Sequence, residues 1–265
     1  LFALGFVIGQ AIIFRVFKDE GKPEKDVETL TMFMVISTIL GARLGHCLFY
    51  DPVYYLSHPL EILFVWKGGL ASHGATIGIL TAIAIYVNYR ITATYFLGLI
   101  PYRFQSLKVK RPGQSYLWVL DRIVIVTALA GALIRLGNLM NSEIIGLPAD
   151  VPWAFVFESV DQQPRHPAQL YESLSCLALF FVLLYLWSRR KQRTPEGLLF
   201  SIFLIVVFGL RFFYEFLKEN QSDFEEGLLL NMGQTLSIPL VLAGFYVMYR
   251  SLYKPFKPHP AIHED

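Results

Sequence analysis

The sequence predicts an all-α polytopic membrane protein of seven transmembrane helices, and three observations carry that expectation. First, 54% of the 265 residues are hydrophobic and only 17% are charged, against about 45–50% and about 25% in soluble globular chains. Second, apolar runs recur at roughly 1–17, 29–50, 69–89, 118–139, 168–187, 197–217 and 228–250. Most of them reach the roughly 17–25 residues that cross a hydrocarbon core of about 30 Å. Third, the segments between the runs sort by charge. Phe 22, Tyr 14 and Trp 4 against 21 acids also exclude a disordered chain, a coiled coil and a disulfide-stapled scaffold.

The runs are too long for sheet strands, and lipid accepts only helices or closed barrels. The ten-residue alternation of a barrel is absent. The first run is short because the sequence opens inside it, at Leu1. No basic region precedes it, so a removable signal peptide is not indicated, and a few leading residues are expected before Leu1. Arg15, Lys18, Lys22 and Lys25 follow run one, and Arg90, Arg103, Lys108, Lys110 and Arg111 follow run three. Arg189, Arg190, Lys191 and Arg193 follow run five, and Arg250, Lys254 and Lys257 close the chain. The other three loops, 51–68, 140–167 and 218–227, hold only Lys67, Arg165 and Lys218. Excess Lys and Arg mark the cytoplasmic side, which puts the N-terminus outside and the C-terminus inside.

Residues 1–265 read as one integral membrane domain. Within it, 140–167, with Trp153, Phe155, Phe157 and several prolines, reads as a small external head or lid between helices four and five. Pro59–Trp66 and Ile91–Phe104 read as interfacial stretches, the latter placing Tyr95, Tyr102 and Arg103 at headgroup depth. Cys47 and Cys176 lie far apart in the chain and read as small buried hydrophobes.

The informative residues are the charges that break the apolar pattern. Arg43 and Arg135 fall near the outer ends of helices two and four. Arg211 and Glu215 fall in the outer half of helix six, Glu172 in the opening turns of helix five, and Ser72 and His73 at the outer end of helix three. Asp121 and Arg122 are the exception, at the inner end of helix four, where snorkelling accounts for them. An unpaired arginine in hydrocarbon costs at least about 2.5–3.5 kcal/mol. Arg211 and Glu215, spaced i,i+4, have the option of pairing with each other. A cluster of guanidinium forks at one depth points further, to an anionic lipid or another phosphate-bearing substrate.

Three motifs surround these charges. GGLASHGATIG carries His73 among glycines at helix-packing spacing, and GARLG repeats that spacing around Arg43. His73 reads either as a hydrogen-bonded residue between helices or as an imidazole that accepts a thiol or alcohol proton. Arg135, Asn138, Asn141, Glu143 and Gly146 form the densest polar run, either an ordinary capped helix end or a binding loop. RHPAQLYE then opens helix five with Pro167, Gln169 and Glu172. HExxH, GxSxG, Walker A and CxxC patterns are all absent, and the spacing of His46, His58, His73 and His166 names no metal. Basic residues spread along membrane edges disfavour nucleic acid. On residues alone, a transporter of an anionic solute and a non-catalytic lipid- or peptide-binding membrane protein stay open. The one-sided polar set argues against the transporter.

These motifs resemble the prolipoprotein diacylglyceryl transferase family of bacteria. The family's GRxGNFxNxExxG signature is matched at Arg135, Asn138, Asn141, Glu143 and Gly146, with Ile134 and Leu139 replacing its usual glycine and phenylalanine. LASHGATIG, HPxQLYE at 166–172, the RFxxE element at Arg211 and Glu215, and the glycine-flanked Arg43 follow in kind. A family tyrosine of the first helix would fall before Leu1, and Val207 stands where a tyrosine is often found. The resemblance implies transfer of the diacylglyceryl group of phosphatidylglycerol to the lipobox cysteine thiol of a prolipoprotein, in the bacterial inner membrane and facing the outer leaflet. It implies neither metal nor cofactor. His73, Arg135, Arg211, Glu143 and Glu215 would be catalytic. Arg43, Asn138, Asn141, Gly146, Gln169 and Glu172 would bind substrate, which is the lipid donor and the precursor's signal peptide.

Overall fold

The structure is a computed structural model that describes residues 1–96, 100–219 and 230–253. In chain order the elements are α1 (Phe2–Asp19), α2 (Glu24–Phe49), α3 (Pro52–Ser57), two short 3-10 turns over Pro59–Leu63 and Val65–Lys67, and α4 (Ser72–Asn88). A hairpin of β1 (Arg90–Phe96) and β2 (Ile100–Leu107) follows, then α5 (Tyr116–Met140) and a second small ladder of β3 (Phe155–Val156) and β4 (Pro164–Arg165). α6 (Ala168–Arg190), α7 (Leu198–Tyr214) and α8 (Met232–Tyr253) complete the chain.

Among the described residues, five helices are long and apolar enough to cross a membrane. They are α2, α5, α6 and α7 with the turns that follow the last two, and α8. α1 and α4 are helices of 18 and 17 residues. The protein is therefore helical, apolar and multi-pass.

Local chemistry sets the boundaries. α2 starts earlier than its apolar run because Pro23 is followed by Glu24 and Asp26, acids that suit the positive end of a helix. α4 starts at Ser72 rather than at residue 69 because Gly68 and Gly69 hold φ of +84° and +68°, which a right-handed helix excludes. The expected interfacial stretch over Ile91–Phe104 is instead an antiparallel hairpin. Its β-branched and aromatic run, ITATYF, suits extended backbone. Of the last apolar run, residues 228 and 229 lie outside the described residues, as do Lys254, Lys257, His259 and His263 of the tail and the loop from 220 onward.

The chain divides into two compact units. In the unit of Gly21–Val119, α2 and α4 pack through glycines. A Cβ added to Gly45 would stand 2.7 Å from Gly74 Cα, and one on Gly41 would overlap the Gly74 carbonyl. At one end of this unit Tyr86 donates to Gln114 Oε1 (2.5 Å) and Gln114 donates to Asp26 Oδ2 (2.6 Å). The Arg111 guanidinium lies over the Tyr86 ring, 3.9 Å from its centroid.

The other unit holds Leu1–Glu20 and Leu120–Pro258. Here α6, α7 and α8 pack in sequence. One end of the unit is a closed polar staple. Arg122 donates to both carboxylate oxygens of Glu20 (3.0 and 2.9 Å), and Trp187 donates to the same Glu20 (2.7 Å). Asp121 accepts from the backbone N–H groups of Gly197 and Phe200 (2.7 and 2.8 Å), capping the start of α7. Asp121 and Arg122, expected to snorkel, have no exposed side-chain surface and are held by these partners instead.

Candidate active site

The opposite end of that second unit gathers several of the charged residues singled out in the sequence. The last turns of α5 bring Arg135, the first turns of α6 bring Glu172, the last turn of α7 brings Arg211, and the turn after it brings Glu215 and Lys218. Arg135, Glu172 and Arg211 line one cleft of about 440 Å³, counted with the solvent at its mouth. Its walls are apolar, from Leu179, Val206, Val207 and Leu210, with Ser175, Cys176 and Tyr214 as lesser polar groups. Of the arginines expected to cluster, Arg135 and Arg211 thus share one cleft with Glu172, while Arg43 belongs to the other unit.

The charges interlock. Arg135 Nε lies 2.6 Å from Glu172 Oε2 but off the angle of a hydrogen bond, so charge alone holds that oxygen. Arg211 Nε donates to Glu215 Oε1 (3.3 Å), the i,i+4 pair that its spacing allowed. Lys218 Nζ reaches Oε1 of Glu172 (2.5 Å) and Oε1 of Glu215 (3.2 Å) with 1% of its side chain exposed. Asn231, which also caps α8 by accepting from the Gln234 N–H, donates to Glu215 Oε2 (3.3 Å). Three cations therefore stand on two carboxylates. The cleft thus sets surplus positive charge, in part as guanidinium forks suited to oxyanions, beside an apolar wall.

Six arginines show two kinds of use. Arg122, Arg165, Arg111 and Arg43 spend their terminal Nη donors on protein groups. Among the described residues, Arg135 and Arg211 donate no Nη hydrogen bond to the protein, and both face the cleft. Arg43 gives Nε to Ile62 O (3.0 Å), Nη1 to Gly68 O (2.8 Å) and Nη2 to Glu61 O (2.6 Å). Its guanidinium also lies over Tyr55. Arg43 belongs to the first unit, where its fork is filled by the backbone of 61–69, so its observed work is to fasten that segment.

The polar run after α5 forms a compact loop. Glu143 accepts from Asn138 Nδ2 (2.6 Å) and Asn141 Nδ2 (3.4 Å), and its backbone carbonyl accepts from Gln169 Nε2 (2.6 Å). Gln169 is fully buried and its Oε1 has no hydrogen-bond partner. Ser142 and Ile144, on either side of Glu143, both hold φ of +55°, which is strained above all for the β-branched Ile144. Gly146 is bridged to Lys218, and a Cβ there would overlap the His166 carbonyl. The loop is thereby tied to the cationic cleft through backbone as well as side chains.

The 140–167 segment is ordered by Arg165, which holds Asp161 (2.5 Å), Glu219 (2.5 Å) and the Gly146 carbonyl (3.1 Å). The Arg165 guanidinium, assisted by the Gln163 N–H, keeps the Asp161 carboxyl below the usual carboxylate range. Tyr171 OH accepts from Trp153 Nε1 (2.8 Å) and lies 3.2 Å from His166 Nδ1. His73 stands exposed on the first turn of α4 in the other unit, beside the packed Gly74.

Lys218 and Asn231 were not singled out in the sequence. Lys218 sits three residues beyond Glu215, which was the available signal, but it reads as one charge in a loop. Asn231 begins an Asn-x-x-Gln helix start that side-chain capping would have flagged.

The fold and the cleft together define an apolar multi-pass helical protein with surplus positive charge on one apolar-walled cleft. Residues 1–250 match the model of the prolipoprotein diacylglyceryl transferase family. A phosphatidylglycerol–prolipoprotein diacylglyceryl transferase of Chloroherpeton thalassium is 47% identical over 95% of this chain and 86% of its own length. Proteins of the same name from Tolumonas auensis (44% identical, 95% and 89% covered) and Bacteroides fragilis (41%, 94% and 86%) are similar as well. The chain belongs to the prolipoprotein diacylglyceryl transferase family.

Proposed function

We propose that this chain transfers the diacylglyceryl group of phosphatidylglycerol to the lipobox cysteine thiol of a prolipoprotein. A carbon–sulfur bond forms at the glycerol carbon that carries the phosphate, and the carbon–oxygen bond to that phosphate breaks. Glycerol phosphate leaves and the thiol proton is given up. The observation that carries this reading is the pair of uncommitted guanidinium forks, Arg135 and Arg211, on one apolar-walled cleft.

Charge accumulates on the departing phosphate, and donors already aimed at it are where electrostatic stabilisation acts. Arg135 and Arg211 fill that role. Glu172 and Glu215 orient them through their Nε groups. Asn138, Asn141, Glu143 and Gln169 form the polar loop that would position the glycerol headgroup, and Gly146 fastens that loop. His73 is the group assigned to the thiol proton, on the strength of the LASHGATIG element. A thiol of ordinary pKa about 8.5 needs only a modest push. Arg43 supports the segment before His73 by the carbonyls it binds.

The same reading places seven spans in the bacterial inner membrane, with the N-terminus outside, the C-terminus in the cytoplasm and the cleft open to the outer leaflet. The basic residues of the loops support this orientation.

The test is lipidation of a lipobox peptide in phosphatidylglycerol micelles, read as the mass gained on its cysteine. Purified wild-type protein should produce the diacylglyceryl thioether and His73→Gln should not. No product from the wild type would overturn the transfer reading, and full activity in His73→Gln would overturn the role given to His73.

A further inference from the structure

We propose that Lys218 is a positioning residue whose buried ammonium absorbs carboxylate charge, leaving Arg135 and Arg211 free to grip a lipid phosphate. The inference rests on the reading of the cleft as the phosphatidylglycerol site. Its basis is geometric. The Lys218 side chain is almost wholly enclosed, and it meets Oε1 of both Glu172 and Glu215. Those two carboxylates are the partners of the two arginines. With Lys218 present, each arginine spends charge on its glutamate through Nε, and no Nη donor is drawn into a protein hydrogen bond among the described residues.

Without the ammonium the balance changes. Two guanidiniums would face two carboxylates with no surplus for a phosphodiester monoanion. Glu172 and Glu215 would then compete with the phosphate for the arginine forks. Lys218 is also well placed to hold this arrangement steady. Its backbone is bridged to Gly146, and Leu147 donates to the Leu217 carbonyl beside it (2.9 Å). The ammonium is thus fixed between the Glu143 loop and the cleft, out of reach of solvent ions. It touches no reacting atom. Its effect reaches the lipid through the arginines.

The experiment compares wild type, Lys218→Met, Lys218→Arg and the double variant Lys218→Met/Glu172→Gln, all in detergent. Initial rates of peptide lipidation are measured against phosphatidylglycerol concentration, and thermal melting reports folding. Lys218→Met should raise KM for phosphatidylglycerol about tenfold or more, with a smaller change in kcat. Lys218→Arg should stay within about threefold of wild type, since charge is kept. The double variant removes one carboxylate and restores the surplus, so it should recover part of the lost affinity. This holds even where Lys218→Met alone folds poorly. A Lys218→Met protein with unchanged KM, or a folded double variant no better than the single one, would overturn the proposal. Wild type that fails to lipidate the peptide would instead strike the functional reading beneath it.

Discussion

Arg135 of α5 and Glu172 of α6 stand 2.6 Å apart on the wall of the cleft, in contact through charge but not through an aligned hydrogen bond. An ion pair in that geometry fixes where the guanidinium stands without consuming its fork. The fully paired Arg122 shows the contrast. Both of its interactions with Glu20 are hydrogen bonds, and neither side chain has exposed surface. The Arg122 fork is consumed by its partner, whereas the terminal donors of Arg135 are left facing the cleft.

That contrast gives the first prediction. Breaking a buried pair by removing one partner costs about 3–5 kcal/mol, because the other charge is left uncompensated. Glu20→Gln and Arg122→Met should each lower the melting temperature in detergent substantially, while Arg122→Met/Glu20→Leu should be milder than either one. Single variants with wild-type melting would show that the staple carries no stability.

Gly146 gives the second. A Cβ at this position meets backbone, the His166 carbonyl and Leu217 O (2.9 Å), so no side-chain rotation relieves it. Gly146→Ala should displace the Glu143 loop, speed proteolysis within 140–167 and reduce lipidation by about tenfold or more, the factor that 1.4 kcal/mol at the transition state provides. Wild-type proteolysis and rate would contradict the packing described.

The third concerns pH and the head. Asp161 is held below the ordinary carboxylate pKa by Arg165, so its folded value lies under its unfolded one. The stabilisation is therefore present above the ordinary value of about 4 and is lost as pH falls through the folded value. The gap in melting temperature between wild type and Asp161→Asn should be full at neutral pH and close in acid below about pH 4. A gap that persists unchanged in acid would show that the Asp161–Arg165 pair does not depend on carboxylate charge.

Much of this architecture is written in short-range chemistry. The start of α6 is legible because Pro167 has no N–H to waste at a helix start, and the pairing of Arg211 with Glu215 follows from helical spacing. Gly68 and Gly69 delay α4 through backbone angles that a hydropathy run does not register. The hairpin over 90–107 was hidden because an aromatic, β-branched stretch beside a membrane looks the same lying on the surface or paired with itself. Arg43 illustrates the harder limit. A guanidinium that binds backbone carbonyls and one that faces an open cleft have the same letter, and only the tertiary positions of Ile62 and Gly68 tell Arg43 apart. Lys218 does not stand out for the same reason, since one of its two carboxylate partners, Glu172, lies 46 positions away in sequence. The positive φ of Ser142 and Ile144 leaves no sequence signal, as neither is a glycine.

The central claim is that Arg135 and Arg211 together recognise the phosphate of a lipid. Native mass spectrometry of the detergent-solubilised protein, with phosphatidylglycerol or uncharged diacylglycerol added at equal concentration, measures this directly. The wild type should retain phosphatidylglycerol in clear preference, and Arg135→Ala/Arg211→Ala should lose that preference by about tenfold or more. Equal retention of phosphatidylglycerol by the wild type and the double variant would contradict it.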